Sequence, residues 1–140
     1  MATHSHQTLL LWAVRRMVAD GFVITGYDGK SAQGGSLNLL PKPFVFAGSR
    51  PDAWGIHQTS MLFGFAEAKT PLDIDTAHTR RQIQIFSAVK MKTSRAPCPL
   101  YVAVPRSSLS LFQTVLADIG LGGAPTILLL GVPDILLEAA

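Results

Sequence analysis

Met61-Leu62-Phe63-Gly64-Phe65-Ala66-Glu67-Ala68-Lys69, followed at once by Thr70-Pro71, is the stretch whose reading decides the fold. Aromatic and small apolar residues fill it, and side chains alternate between the faces of a strand. Met61, Phe63, Phe65, Glu67 and Lys69 therefore share one face, and Leu62, Gly64, Ala66 and Ala68 share the other. A carboxylate and an ammonium project the same way from the end of an apolar strand. Charge buried there is costly unless it is paired or bound to a metal. Pro71 ends the strand. A helix is expected from near Asp73 or Asp75, whose carboxylates suit the positive end of its dipole, to about Met91.

Upstream, Ser5 is expected to cap a helix running through Leu9, Leu10, Trp12, Ala13, Val14, Met17 and Val18, which Asp20-Gly21 stops. Phe22–Thr25 reads as a strand, being β-branched and aromatic. Gly26–Gly35 reads as a mobile loop or hairpin tip, and Leu37–Leu40 as a return strand limited by Pro41 and Pro43. Phe44–Phe46 and Ala53–Ile56 flank a turn at Gly48–Pro51. Downstream, Leu100–Val104 is an apolar strand bounded by prolines. Ser107 or Ser108 is expected to cap a helix with Leu109, Phe112, Val115, Leu116 and Ile119 on its buried face, and Thr126–Leu130 is a final buried strand. The first strands look hairpin-connected, and the alternating second half favours parallel pairing through right-handed crossovers. The expected class is α/β, a mixed central sheet flanked by helices.

The 140 residues suit one domain, residues 1–140. With 48% hydrophobic and 15% charged residues, the chain can bury enough surface to offset its ordering entropy, which excludes a disordered class. No apolar run approaches the ~18 residues that cross a bilayer, so no membrane partner is expected. Met1–Gln7 is polar, with neither basic residues nor a clear cleavage site, so secretion is not expected either. One cysteine, Cys98, excludes an internal disulfide and a cysteine-based zinc site. A soluble cytoplasmic protein is the expectation. Ten Lys/Arg against four acids lie between Lys30 and Arg106, a local basicity that suits an anionic partner.

Arg50-Pro51-Asp52 precedes Glu67-Ala68-Lys69 by fourteen residues. If Ala53–Ile56 and Met61–Lys69 pair as a hairpin, Asp52 comes within reach of Glu67. Two carboxylates sharing a site repel unless a divalent cation neutralises them. Mg²⁺ (or Mn²⁺) fits, because it takes oxygen ligands and keeps waters for work on phosphate substrates. Lys69 would then orient or deprotonate the attacking water, or stabilise the charge of the phosphoryl transition state. Gln82 falls inside the apolar arc of its helix, where it needs hydrogen-bond partners that the acidic strand end can supply. Taken singly, Asp52 is an ordinary turn residue and Glu67 and Lys69 a solvated strand end. Their combination is what favours a site. Arg80, Arg81, Lys90, Lys92 and Arg95 are candidate phosphate contacts, with Arg50 beside the site and Lys30 in the glycine-rich loop. His4 and His6 are assigned to an unstructured terminus, and His57 and His78 to structural or surface roles, with a place in the site as the alternative.

Pro51-Asp52 with Glu67-Ala68-Lys69 resembles the PD-(D/E)xK signature of the restriction-endonuclease-like nuclease superfamily, and the element order is similar to its αβββαβ core. The resemblance covers about Ser5 to Val104. It implies a Mg²⁺-dependent nuclease or endonuclease that hydrolyses DNA, with Asp52, Glu67, Lys69 and Gln82 as catalytic residues. Gln82 to Phe86 is similar to the QxxxY element of the exonuclease and RecB-like branch, with Phe86 in place of Tyr. Many relatives carry a first-helix Glu as a further ligand. Here Gln7 or Thr8 stands there, and no acid precedes Asp20. The resemblance then implies one ion held by Asp52, Glu67 and the Ala68 carbonyl. A chain this short implies little sequence preference, reading of DNA structure, or a homodimer. The alternative is an inactive nuclease-fold module that binds nucleic acid or protein, and a further one is assembly through the apolar Ile127–Leu137 tail.

Overall fold

Alternation of large and small side chains along the central strands sorts the interior into two apolar layers. The computed structural model describes residues 3–138. Helix α1 (His4–Ala19) leads into strand β1 (Phe22–Tyr27), and strands β2 (Ala53–His57) and β3 (Phe63–Ala68) follow. A short helix α2 (Pro71–Ile74) precedes α3 (Ala77–Ser87), then β4 (Leu100–Pro105), α4 (Leu109–Asp118) and β5 (Ile127–Val132). The five strands form one sheet in the order β1-β2-β3-β4-β5. β1, β2 and β3 pair antiparallel, while β3, β4 and β5 pair parallel. The molecule is α/β, a mixed sheet flanked by helices.

On one face of the sheet Ala53, Ala66, Ala68 and Ala103 meet Leu10, Ala13, Val14 and Met17 of α1. Small side chains there let the helix lie close to the strands. On the other face Phe65, Leu100, Val102 and Val104 pack against Ile83 and Phe86 of α3 and Phe112, Val115 and Leu116 of α4. Phe65 stacks on Phe86 with ring centroids 5.6 Å apart. Both crossover connections thus lie on the face opposite α1. Cys98 is fully buried in this second layer, as a small hydrophobe would be. Among the described residues, no helix is long and apolar enough to cross a membrane.

Several expected boundaries move, for local reasons. Thr3, not Ser5, caps α1: its hydroxyl accepts from the His6 N–H, while Ser5 Oγ donates to the Leu137 carbonyl. The terminus is therefore helical from His4, which corrects the assignment of His6 to an unstructured segment. Leu37–Leu40 is not a return strand. Residues Ala32–Leu39 form 3₁₀ turns, with Gly35 at φ 55° and the Asn38 amide donating to the Ser31 carbonyl, and β1 pairs with β2 instead. β3 begins at Phe63 because Met61 sits at φ 62°, in the turn. The helix expected from near Asp73 or Asp75 to about Met91 starts at Ala77, where Thr76 caps it by accepting from the Thr79 N–H, and the separate turn α2 precedes it. That helix ends at Ser87.

Candidate active site

Backbone pairing brings the two carboxylates together. Ala53 stands opposite Ala66, so the next position outward sets Asp52 against Glu67. Asp52 N–H donates to the Ala66 carbonyl at 3.0 Å, and its own carbonyl accepts from Asp28 N–H at 2.8 Å. A residue read from sequence as a turn aspartate is thus pinned on both sides of its strand. Its Oδ2 also accepts from the Ala68 N–H at 2.9 Å, which turns the carboxylate toward the end of β3. Lys69 is fixed in turn by its N–H, which donates to the Ala103 carbonyl of β4 at 3.0 Å. All of this lies at the carboxyl end of a parallel strand, where open α/β sheets present their ligand sites.

Side chains complete the arrangement. Glu67 is 1% exposed, and Lys69 and Gln82 are also buried. Lys69 Nζ lies 3.9 Å from Glu67 Oε2 and donates a short hydrogen bond to Gln82 Oε1. The buried glutamine on α3 thus finds its partner in the ammonium. These residues line one open cavity of about 400 Å³ with His6, Asp73, Thr76, His78 and Thr79.

The two carboxylates do not titrate alike. Burial, together with the Asp52 charge beside it, pushes the Glu67 carboxyl well above the usual carboxylate range, although Lys69 opposes this. Burial also works against an ionised Asp52. Hydrogen bonds from His6, from Glu67 and from the Ala68 N–H outweigh it and hold that carboxyl below its usual range. His6 Nε2 lies 3.3 Å from Asp52 Oδ2, and this contact raises the imidazole pKa against the cost of burial. Two carboxylates facing one another favour keeping one of them protonated, and the raised member of the pair is Glu67.

Glu67 Oε1 is buried without a hydrogen-bond partner among the described residues. A buried carboxylate oxygen seldom goes unpaired. The donor set is hard oxygen, two carboxylates facing one cavity, which suits Mg²⁺ or Mn²⁺ better than a soft-metal site. The residues therefore fit the expected ion. Among the described residues, no group of three or more His, Cys, Asp and Glu side chains is gathered to hold a metal. Side-chain ligands number two, and a backbone carbonyl such as that of Ala68, water and substrate would complete the shell.

Asp52, Glu67, Ala68, Lys69 and Gln82 are brought together as the spacing suggests. The proposed phosphate contacts are dispersed. Lys30 and Arg50 are exposed, each two residues from the backbone contact between the Asp28 N–H and the Asp52 carbonyl. Arg80 is engaged by Asp75 and Asp118 at 2.9 and 3.2 Å, whereas Arg81, Lys90 and Lys92 are exposed without a carboxylate partner among the described residues. Sequence reasoning missed His6 and Asp73 as site residues, and His78, assigned to a structural or surface role, lines the cavity too. The helical spacing of His6 from Leu9, Leu10 and Ala13 was the available signal for the first, and the Thr70-Pro71 start of α2 for the second. His57 lies elsewhere, with Nε2 3.0 Å from the Asp20 carbonyl. The Gln7 amide oxygen accepts from the Lys30 N–H at 2.8 Å and so ties the loop to α1.

No protein-family model matches the chain, and comparisons with curated proteins and with solved structures found no match either.

Proposed function

We propose that this chain is a metal-dependent nuclease that hydrolyses DNA phosphodiester bonds on a restriction-endonuclease-like core. The observation that carries the reading is the convergence of Asp52, Glu67, Lys69 and Gln82 in one open cavity at the end of β3. Asp52 and Glu67 would hold Mg²⁺ or Mn²⁺, joined by the Ala68 carbonyl. When bound, the ion supplies positive charge that polarises the phosphoryl group and makes water a competent nucleophile near neutral pH. Lys69 stabilises the negative charge that develops on the phosphoryl oxygens, where a preorganised cation in a partly dry site acts strongly. Gln82 positions that ammonium through its Oε1. His6 and the Ala68 N–H keep Asp52 ionised and aimed inward.

Incubating the protein with supercoiled plasmid and Mg²⁺ or Mn²⁺ tests this. Nicking or degradation is expected with metal and not with chelator. Lys69→Ala should slow it by about 10²-fold or more without unfolding the protein. Equal rates for the two proteins would remove Lys69 from the chemistry. A second reading, a nuclease-fold module that binds without cutting, is favoured by one contact: His6 occupies Asp52 Oδ2 as an ion-pair partner. DNA binding with no cleavage in either metal would select it.

A further inference from the structure

Beyond the catalytic cavity, α3 borders a second and larger depression. This open groove, about 740 Å³, runs between α3 and the segment that precedes β2. Val45, Phe46, Ile85 and Val89 give it apolar walls, and Arg81 and Lys90 give it positive charge. No acid lines it, and neither cation has a carboxylate partner among the described residues. Phe44, next in the chain to Val45, is 68% exposed, with its ring centroid 5.6 Å from that of Trp54. Phe46 lies edge-on to both Trp54 and Phe65, at 5.5 and 4.7 Å.

The occupant such a groove selects carries negative charge and flat apolar faces together. Duplex DNA offers its phosphates outside but keeps its base faces stacked within. An unpaired strand offers both, and binding sites for it combine basic grooves with aromatic platforms. The groove and the catalytic cavity are built on the same helix, α3. Arg81 lines one and Gln82 the other, and Ile85 and Ala88 continue the groove wall about 4–10 Å further along the helix at ~1.5 Å per residue. We infer that this groove holds an unpaired nucleic-acid strand flanking the phosphodiester presented to the Asp52–Glu67 site, so that single-stranded or frayed DNA is the preferred substrate. The inference rests on the nuclease reading for the role of the neighbouring cavity, and on charge and shape for the groove itself.

The test is binding by the full chain in chelator, where no cleavage can confuse the signal. Fluorescein-labelled oligothymidylate and a blunt duplex of equal length are titrated with wild type and with the double variant Arg81→Glu/Lys90→Glu. Wild type should bind the single strand at least about tenfold more tightly than the duplex, in keeping with the worth of base stacking. Charge reversal at these exposed positions should weaken single-strand binding by a similar factor. It should also lower the slope of log affinity against log salt by about 1.4, for two lost phosphate contacts. Unchanged melting temperature certifies the fold. In a Trp12→Phe background, Trp54 is the remaining tryptophan, and its fluorescence should respond to the oligonucleotide. Equal affinity for the two nucleic acids, an unaltered double variant, or occupation of the groove by an acidic peptide with no oligonucleotide binding overturns the inference. Failure here alongside metal-dependent cleavage of duplex DNA removes only the groove. Groove binding without cleavage in any metal removes the nuclease reading and leaves the strand site standing.

Discussion

Glu67 places a carboxylate where burial and a like charge both oppose its ionisation. The folded chain therefore holds a proton that the unfolded chain releases, and stability falls as pH climbs from the ordinary carboxylate range toward the raised Glu67 value. The His6–Asp52 contact adds a slope of the same sign. The raised imidazole pKa stabilises fully below the usual histidine value and loses that contribution as pH rises through the raised one. Glu67→Gln keeps the shape and removes the charge. In chelator near neutral pH this variant should melt higher than wild type and show a flatter pH dependence, while losing cleavage. Thermal melts across pH 5 to 8, the range where histidine titrates, check it. A lower melting temperature for Glu67→Gln at neutral pH would contradict the costly-carboxylate description. His6→Ala should flatten the upper part of the same profile.

Elements were legible where alternation was strong. Along β3 and β4, Phe65, Leu100 and Val102 face one way and Ala66, Ala68 and Ala103 the other, and this two-residue period made the strands and the hairpin apparent. It also carried the site, since the pairing that sets Ala53 against Ala66 leaves Asp52 facing Glu67. What escaped was set by contacts distant in sequence or by local caps. Asn38 closes the 3₁₀ segment through Ser31, Thr76 caps α3 after the separate turn α2, and His6 becomes a site residue only because α1 lies across the sheet. That crossing depends on small side chains. Ala66→Leu should overpack the seam between α1 and β3, cost about 1–3 kcal/mol and lower the melting temperature. Unchanged stability would mean that the alanine layer does not set the approach of α1. Gln82→Ala tests α3 differently: activity should fall with little change in melting temperature, because the amide positions Lys69 at the edge of the core.

At the scale of the molecule, the cavity is where separate elements meet: α1 through His6, the β2 approach through Asp52, β3 through Glu67 and α3 through Gln82. A cation bound there would link both apolar layers through the sheet that divides them. Binding to the folded state alone raises stability by mass action, by about 2.7 kcal/mol at a hundredfold excess over Kd. The melting temperature should therefore climb with Mg²⁺ in wild type and remain flat in Glu67→Gln, as differential scanning fluorimetry can read. The basic middle of the chain adds a second dependence, since association with DNA should weaken steeply with salt. The most direct measurement is calorimetric titration of the protein with Mn²⁺, alongside Asp52→Asn and Glu67→Gln. One site is expected in wild type, lost in both variants, whose folds survive. Heat that persists unchanged in the two variants, or its absence from wild type at millimolar metal, would contradict a cation shared by these carboxylates.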